Sequence, residues 1–238
     1  MVYFIKLAIN YLKNIVRDRF LVYACIAFPV MIILISRIFV HWISEAYALE
    51  GIYPLFFMLL VIMIPLIFGF ITAFLIIDER DEHLLTVLRV MPISRNSYLA
   101  YRMFFMSIFS FIFVLIFPAL SGLLEGTQFS YTQYVPVAVL LTLFTPFSAL
   151  LVTTFANNKV QAFAIFKIGG TLFLVPLFAF FIADNLKYVF GFIPNFWTFM
   201  AIDSVIQEGT LDLVYLLIGF VFHIALLAVL FHLFNKKY

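Results

Sequence analysis

The chain has 238 residues, 66% of them hydrophobic and only 11% charged, with a formal net charge of +2. Soluble domains run about 45–50% apolar and about 25% charged, so this composition excludes a soluble globular protein. The lack of any long polar block also excludes a sizeable extramembrane catalytic domain. At about 20 residues per span, it suits an all-α polytopic membrane protein: one transmembrane domain over 1–238 with six spans and short loops.

Residues 2–17 come first. Lys6, Asn10, Lys13, Asn14 and Arg17 share one arc at about 100° per residue, opposite Phe4, Ile5, Leu7, Leu12, Ile15 and Val16. A basic polar stripe predicts a helix lying in the membrane interface over 1–19; a helix packed on other protein is the alternative. No short apolar region ends in a small-residue cleavage site, so the segment is not expected to be a removable leader. Cys25 stands alone, which excludes an intrachain disulfide and reads as a small buried hydrophobe.

Six apolar runs follow, at 20–40, 53–77, 103–124, 135–155, 162–183 and 211–234. Runs this long predict helices and exclude a membrane β-barrel, whose strands are short and alternating. Prolines within them are tolerated where neighbours satisfy the freed carbonyls. Of the 14 Lys and Arg residues, eleven fall on one side of this threading and two, Arg37 and Lys187, on the other, with Lys167 inside the fifth run. That bias predicts cytoplasmic termini. Arg37 and His232, near span ends, are expected to snorkel or meet headgroups.

Two connections exceed a turn. The external one, 184–210, is apolar and aromatic, with Tyr188, Phe190, Phe192, Phe196, Trp197 and Phe199 around Gly191 and Pro194; it predicts a re-entrant or interfacial hairpin. The cytoplasmic one, 78–102, opens on Asp78, Glu79, Arg80, Asp81 and Glu82. It continues with Leu84, Leu85, Val87, Leu88 and Met91 at helical spacing, closed by Pro92 and Ser94. A short amphipathic helix between two spans can dock in a partner's groove or simply lie in the interface.

The stretch Glu79-Arg80-x-x-x-x-Leu85-x-x-Leu88-x-x-x-Pro92-Ile93-Ser94 resembles the signature of the ABC-2 type permeases, approximately E-[KR]-x-x-G-T-L-x-x-L-x-x-x-P-[IVL]-[ST]. The layout is similar too: an N-terminal interfacial helix, six spans, cytoplasmic termini and a hydrophobic hairpin before the last span, with Phe192-Ile193-Pro194-Asn195-Phe196-Trp197 at the family's proline-aromatic position. The chain departs at His83, Leu84 and Met91, where Gly, Thr and Thr are usual. The run Glu-Arg-Asp-Glu-x-Leu-Leu-x-x-Leu-Arg-Val-x-Pro also resembles the fluoroquinolone-type export permeases. The resemblance implies a permease subunit in a bacterial plasma membrane, paired with an identical or different permease subunit and driven by a pair of phosphate-loop ATPase subunits. Glu79, Arg80, Glu82, Leu85, Leu88 and Pro92 would belong to its coupling helix. A hydrophobic or amphipathic substrate (a drug, peptide or lipid-like molecule) would leave near Pro194 and Trp197 of the hairpin.

No G-x-x-x-x-G-K-[ST] loop occurs in the chain, so ATP and Mg would bind a partner chain and this chain is expected to hold no cofactor and no enzyme site. His41, His83, His223 and His232 form no i, i+4 pair around a glutamate, so no metal site is expected, and no basic face suits nucleic acid. His223, at the midpoint of the last run, is a candidate pathway group or a hydrogen-bonding core residue; Lys167 is close enough to the cytoplasmic side to snorkel. The rival reading is an ion- or proton-coupled secondary transporter or small channel, which should carry midplane charge and related halves.

Overall fold

Uncharged apolar segments in a membrane must satisfy every backbone N–H and C=O internally, and helices do this within one segment. The structure, a computed structural model, describes residues 19–82, 95–182 and 185–237. The interfacial segment up to residue 18 and the positions Leu85, Leu88 and Pro92 lie outside the described residues. The described residues are helical throughout their ordered elements, without strands, and six segments are long and apolar enough to cross a membrane.

The first span is α1, Arg19–Ile38, continued by a π-helical stretch, Phe39–Ser44. Helix α2, Tyr53–Asp81, carries Pro54 in its first turn, where the missing N–H costs nothing. It runs past the apolar boundary at Ile77 and takes Asp78–Asp81 into its last turn. Helix α3, Arg95–Ser121, likewise starts before its apolar run. The expected 78–102 connection is thus shorter at both ends, because its flanking charges are paired within the bundle. Helix α3 stops at Gly122, whose φ of 75° lies in the left-handed region that ends helices.

The fourth span is two helices, α4 (Tyr131–Thr142) and α5 (Phe144–Phe155). At the break the Leu143 N–H bonds Leu140 at i−3 spacing, 3.1 Å, and Pro146 supplies no N–H to the Thr142 carbonyl. The fifth span is α6 (Lys159–Leu174), tightening into a 3₁₀ helix, Val175–Phe181. Asn158 caps α6 by accepting from the Gln161 N–H at 2.9 Å, while the Gln161 side chain accepts from the Asn157 N–H at 2.9 Å, a near-reciprocal cap. A second 3₁₀ helix, Asn185–Phe192, leads into α7 (Pro194–Gln207), and α8 (Leu213–Lys237) is the last span. The Asp212 carboxylate caps α8 by accepting from Val214 N–H at 2.8 Å.

Helix α2 and the α4–α5 span form the buried centre, and the other four spans surround them with largely exposed apolar faces. The central crossing is close at Gly69: a Cβ there would overlap the Ser148 hydroxyl and the Thr145 carbonyl. Small residues that let backbones approach are what drives helix association where lipid is as apolar as the core.

Candidate functional site

The polar residues concentrate at the two ends of the bundle. At one end, α2 delivers Asp78, Glu79 and Arg80 on successive positions, so they face different neighbours. Glu79 pairs with Arg102 of α3 and accepts a hydrogen bond from the Tyr98 hydroxyl; the Arg102 and Glu79 side chains are only 9% and 12% exposed. Asp78 pairs with Lys159 at 2.5 Å. Arg80 donates to the Ala156 carbonyl at 3.0 Å, where α5 ends. Lys237 of α8 donates to the Thr154 carbonyl and the Asn157 side chain, both at 2.9 Å. Cations on the last carbonyls of α5 are favoured by its dipole and by its unsatisfied C=O groups. Five helices are therefore tied together where the 78–102 connection leaves the membrane.

Glu82 ends α2, its N–H bonded to the Asp78 carbonyl at 2.9 Å, and its side chain is exposed. Arg102, Tyr98 and Lys237 carry this end as much as the residues the motif singled out. Their signal in the sequence is only a polar position within about two turns outside the end of an apolar run.

Inside the bundle, His223 is fully buried. Its Nδ1 lies 2.7 Å from the Gly219 carbonyl one turn earlier, so Nδ1 carries the proton and Nε2 a lone pair. The ring meets Phe144 edge-on at 4.3 Å, and Nε2 has no hydrogen-bond partner among the described residues. The histidine thus braces α5 directly after its break. Lys167 is exposed on the outer face of α6.

At the opposite end, Arg37 does more than reach for headgroups. Its Nε donates to the Leu120 carbonyl at 2.6 Å and its Nη1 pairs with Glu125 at 3.2 Å, joining the first span to the end of the third. The 184–210 connection is a 3₁₀ helix plus the largely buried α7, which at 14 residues is about 21 Å long and too short to span. Trp197 Nε1 donates to the Gly191 carbonyl at 2.7 Å, and a Cβ at Gly191 would sit 3.0 Å from the indole. Pro194 starts α7. Asn195, fully buried, donates through Nδ2 to the Phe173 carbonyl at 2.8 Å. The ladder switches to i→i+3 spacing at Val175, where residue 176 would donate to Phe173; Pro176 cannot. Asn195 supplies that donor and fixes α7 to the fifth span, a role the sequence motif did not reveal.

Burial in α7 pushes the Asp203 carboxyl above the ordinary carboxylate range, opposed by its hydrogen bond to Gln207 and by Lys187. No group of three or more metal-ligating side chains occurs among the described residues.

Six spans around a close-packed centre, with one belt of paired charge at the root of a connecting loop, describe a helical multi-pass membrane protein. A family profile described as fluoroquinolones export permease protein Rv2686c-like matches residues 11–231. The fluoroquinolones export permease proteins Rv2686c and MT2760 of Mycobacterium tuberculosis (strains ATCC 25618 / H37Rv and CDC 1551 / Oshkosh) are each 30% identical over 237 residues, covering 96% of this chain and 92% of the relative. The chain belongs to this Rv2686c-like family of export permeases, a subgroup of the ABC-2 type permeases.

Proposed function

We propose that the chain is the membrane subunit of an ATP-driven exporter, working as a pair of permease subunits on a pair of phosphate-loop ATPase subunits that bind ATP and Mg. The observation that carries this reading is the belt of paired charge: Glu79 and Arg80, the first residues of the family signature, are tied to α3 and α5. A push on the loop beyond them therefore reaches three spans at once. In this reading Glu79, Arg80, Glu82, Leu85, Leu88 and Pro92 form the coupling element, the charge belt faces the bacterial cytoplasm, and both termini lie on that side, as the eleven-to-two distribution of Lys and Arg favours. The hairpin with Pro194 and Trp197 stands near the external exit.

The cargo is an amphipathic drug of the fluoroquinolone class, as the relatives' names suggest. It passes between the paired permeases. His223, enclosed by its own helix and Phe144, acts as a packing centre instead of lining that path.

The test uses inverted membrane vesicles containing the chain and its ATPase. Accumulation of norfloxacin should require hydrolysable ATP and survive an uncoupler. Accumulation that an uncoupler abolishes and ATP does not drive would replace this reading with a proton-coupled carrier. Replacing Glu79, Leu85 and Leu88 together by lysine should abolish co-purification with the ATPase; retained binding refutes the coupling assignment.

A further inference from the structure

The fifth span is the most exposed of the six and the least hydropathic, and its outward face carries a charge. Lys167 lies two turns past Lys159, which pairs with Asp78 in the charge belt, and so about 12 Å deeper along α6. Its side chain is exposed, and no ion pair or hydrogen bond engages its ammonium among the described residues. Arg102, also about two turns into its helix, is answered by Glu79. A stem turned toward the belt recovers part of the depth of Lys167. One turn before it, Phe163 meets Phe70 and Phe74 of α2 edge-on, with ring centroids 5.1 and 4.9 Å apart, and Phe70 stacks on Phe166 at 4.2 Å. These contacts run in reverse order along the two helices, so α2 and α6 are antiparallel and Phe70 stands level with Phe166 and its neighbour Lys167. Phe163 is 57% exposed, which leaves one side of this aromatic shelf open. At Gly170 an added Cβ would meet nothing within 4 Å. Positions 163, 167 and 170 fall within an arc of about 60° at 100° per residue, so the shelf, the ammonium and the gap lie on one flank of α6.

From this arrangement we propose that the α2–α6 seam binds an aromatic carboxylate, its ring laid on the Phe163 shelf and over the Gly170 gap, its carboxylate held by Lys167. The site would supply the cargo contact on the path between the paired permeases, and the inference rests on the export reading above. An ionisable side chain inside a span marks a functional site with a partner of opposite charge. The Thr171 hydroxyl, one turn beyond, is committed to the Lys167 carbonyl at 2.8 Å, which leaves the ammonium as the polar anchor of this flank. An acyl chain would use the shelf and leave the ammonium unanswered. A phospholipid headgroup would answer the ammonium but belongs at the level of Lys159, two turns away. A neutral aromatic gains the rings alone, and an inorganic anion the charge alone. A flat aromatic acid gains ring contacts and a charge-assisted hydrogen bond together. Fluoroquinolones are such acids.

The test compares norfloxacin with its decarboxylated analogue. Binding of each is measured on the full chain in lipid nanodiscs, and export in vesicles that also contain the ATPase. Lys167→Met should weaken norfloxacin binding roughly tenfold or more, the worth of a hydrogen bond to a charged group, and leave the analogue's affinity unchanged. Lys167→Arg should restore norfloxacin binding, and Phe163→Leu should weaken both compounds alike. Norfloxacin export should fall in step with binding in Lys167→Met. An unchanged norfloxacin Kd in Lys167→Met overturns the inference, and so does an equal loss for both compounds, which would make Lys167 a structural residue. A Lys167→Met chain that loses bound phosphatidylglycerol in native mass spectrometry but keeps its norfloxacin affinity assigns the ammonium to a headgroup and overturns it too. Undiminished export by a variant that no longer binds norfloxacin separates the site from the path, overturning the inference and leaving the export reading standing. A wild-type chain that binds norfloxacin through Lys167 but exports none overturns the export reading instead.

Discussion

Replacing Asn195 by leucine removes one hydrogen-bond donor and little volume. The donor is worth following because it lies fully buried and serves a carbonyl that its own helix cannot serve, Phe173 ahead of Pro176. Hydrogen bonds between membrane helices average only about 0.6 kcal/mol, because the unfolded helices find other partners. A buried carbonyl left without any donor costs about 1–3 kcal/mol. The second figure governs here, since Pro176 leaves no alternative donor in the helix. For a chain of this size each kcal/mol shifts the Tm by about 2–4 °C, so Asn195→Leu should lower the Tm in detergent by about 4–8 °C for a loss near 2 kcal/mol. The sharper assay is a double-mutant cycle with Pro176→Ala, which restores an N–H at the position that should serve Phe173. The double variant should recover at least half of the lost stability, a coupling of about 1 kcal/mol. Additive effects of the two changes, or an unchanged Tm in Asn195→Leu, would refute the donor-replacement argument.

Arg102→Ala should cost about 3–5 kcal/mol in denaturant unfolding by leaving Glu79 buried with Tyr98 alone; Glu79→Leu in the same chain should restore most of it, and a double variant as weak as the single would disprove pairing. Gly69→Ala should cost more than the about 1–3 kcal/mol typical of overpacking. Ser148→Ala should not rescue it, because the Thr145 backbone carbonyl blocks the same space; full rescue contradicts this. Asp203, whose carboxyl is pushed up mainly by burial, contributes stability that is complete below its unfolded pKa of about 3.9 and declines as pH rises through its higher folded value. Asp203→Asn should therefore raise the Tm at pH 7 and flatten its fall between pH 4 and pH 7, and a parallel fall in both proteins would count against the shift. His223→Leu should leave norfloxacin export intact, since its bond is to its own helix; lost export in a folded variant would assign His223 to the pathway.

The six spans were legible because long apolar runs leave a chain few choices in a membrane. Their ends were not. Whether Asp78–Asp81 continue a helix depends on Lys159 and Arg102 arriving from elsewhere, and no local pattern announces that. Pro146 lies within the fourth run, but the place of the break follows from the shift to i−3 bonding at Leu143. The 184–210 connection was recognisable as too greasy for water and too short to cross. The division of its aromatics between the buried Phe196 and Phe199 and the exposed Phe192 follows from α7 packing on other helices. Of the site residues, Glu79 and Arg80 stood in a motif; Asn195 stood in one as well, yet its role required knowing that Pro176 sits opposite.

Four of the polar ties between helices span a similar length. Arg37 to Leu120, Leu66 to Ser148, Arg80 to Ala156 and Thr154 to Lys237 join residues 83, 82, 76 and 83 positions apart. On a ribosome adding about 5–20 residues per second, each such group is synthesised about 4–17 s before its partner. The two ends of the bundle can wait in water for that time. At the centre, the close packing of Gly69 on Thr145 and Ser148 cannot form before the fourth span exists, so α2 depends on transient neighbours until then. Slowing translation between residues 81 and 144 should therefore expose the nascent chain to degradation more than an equal delay after residue 160.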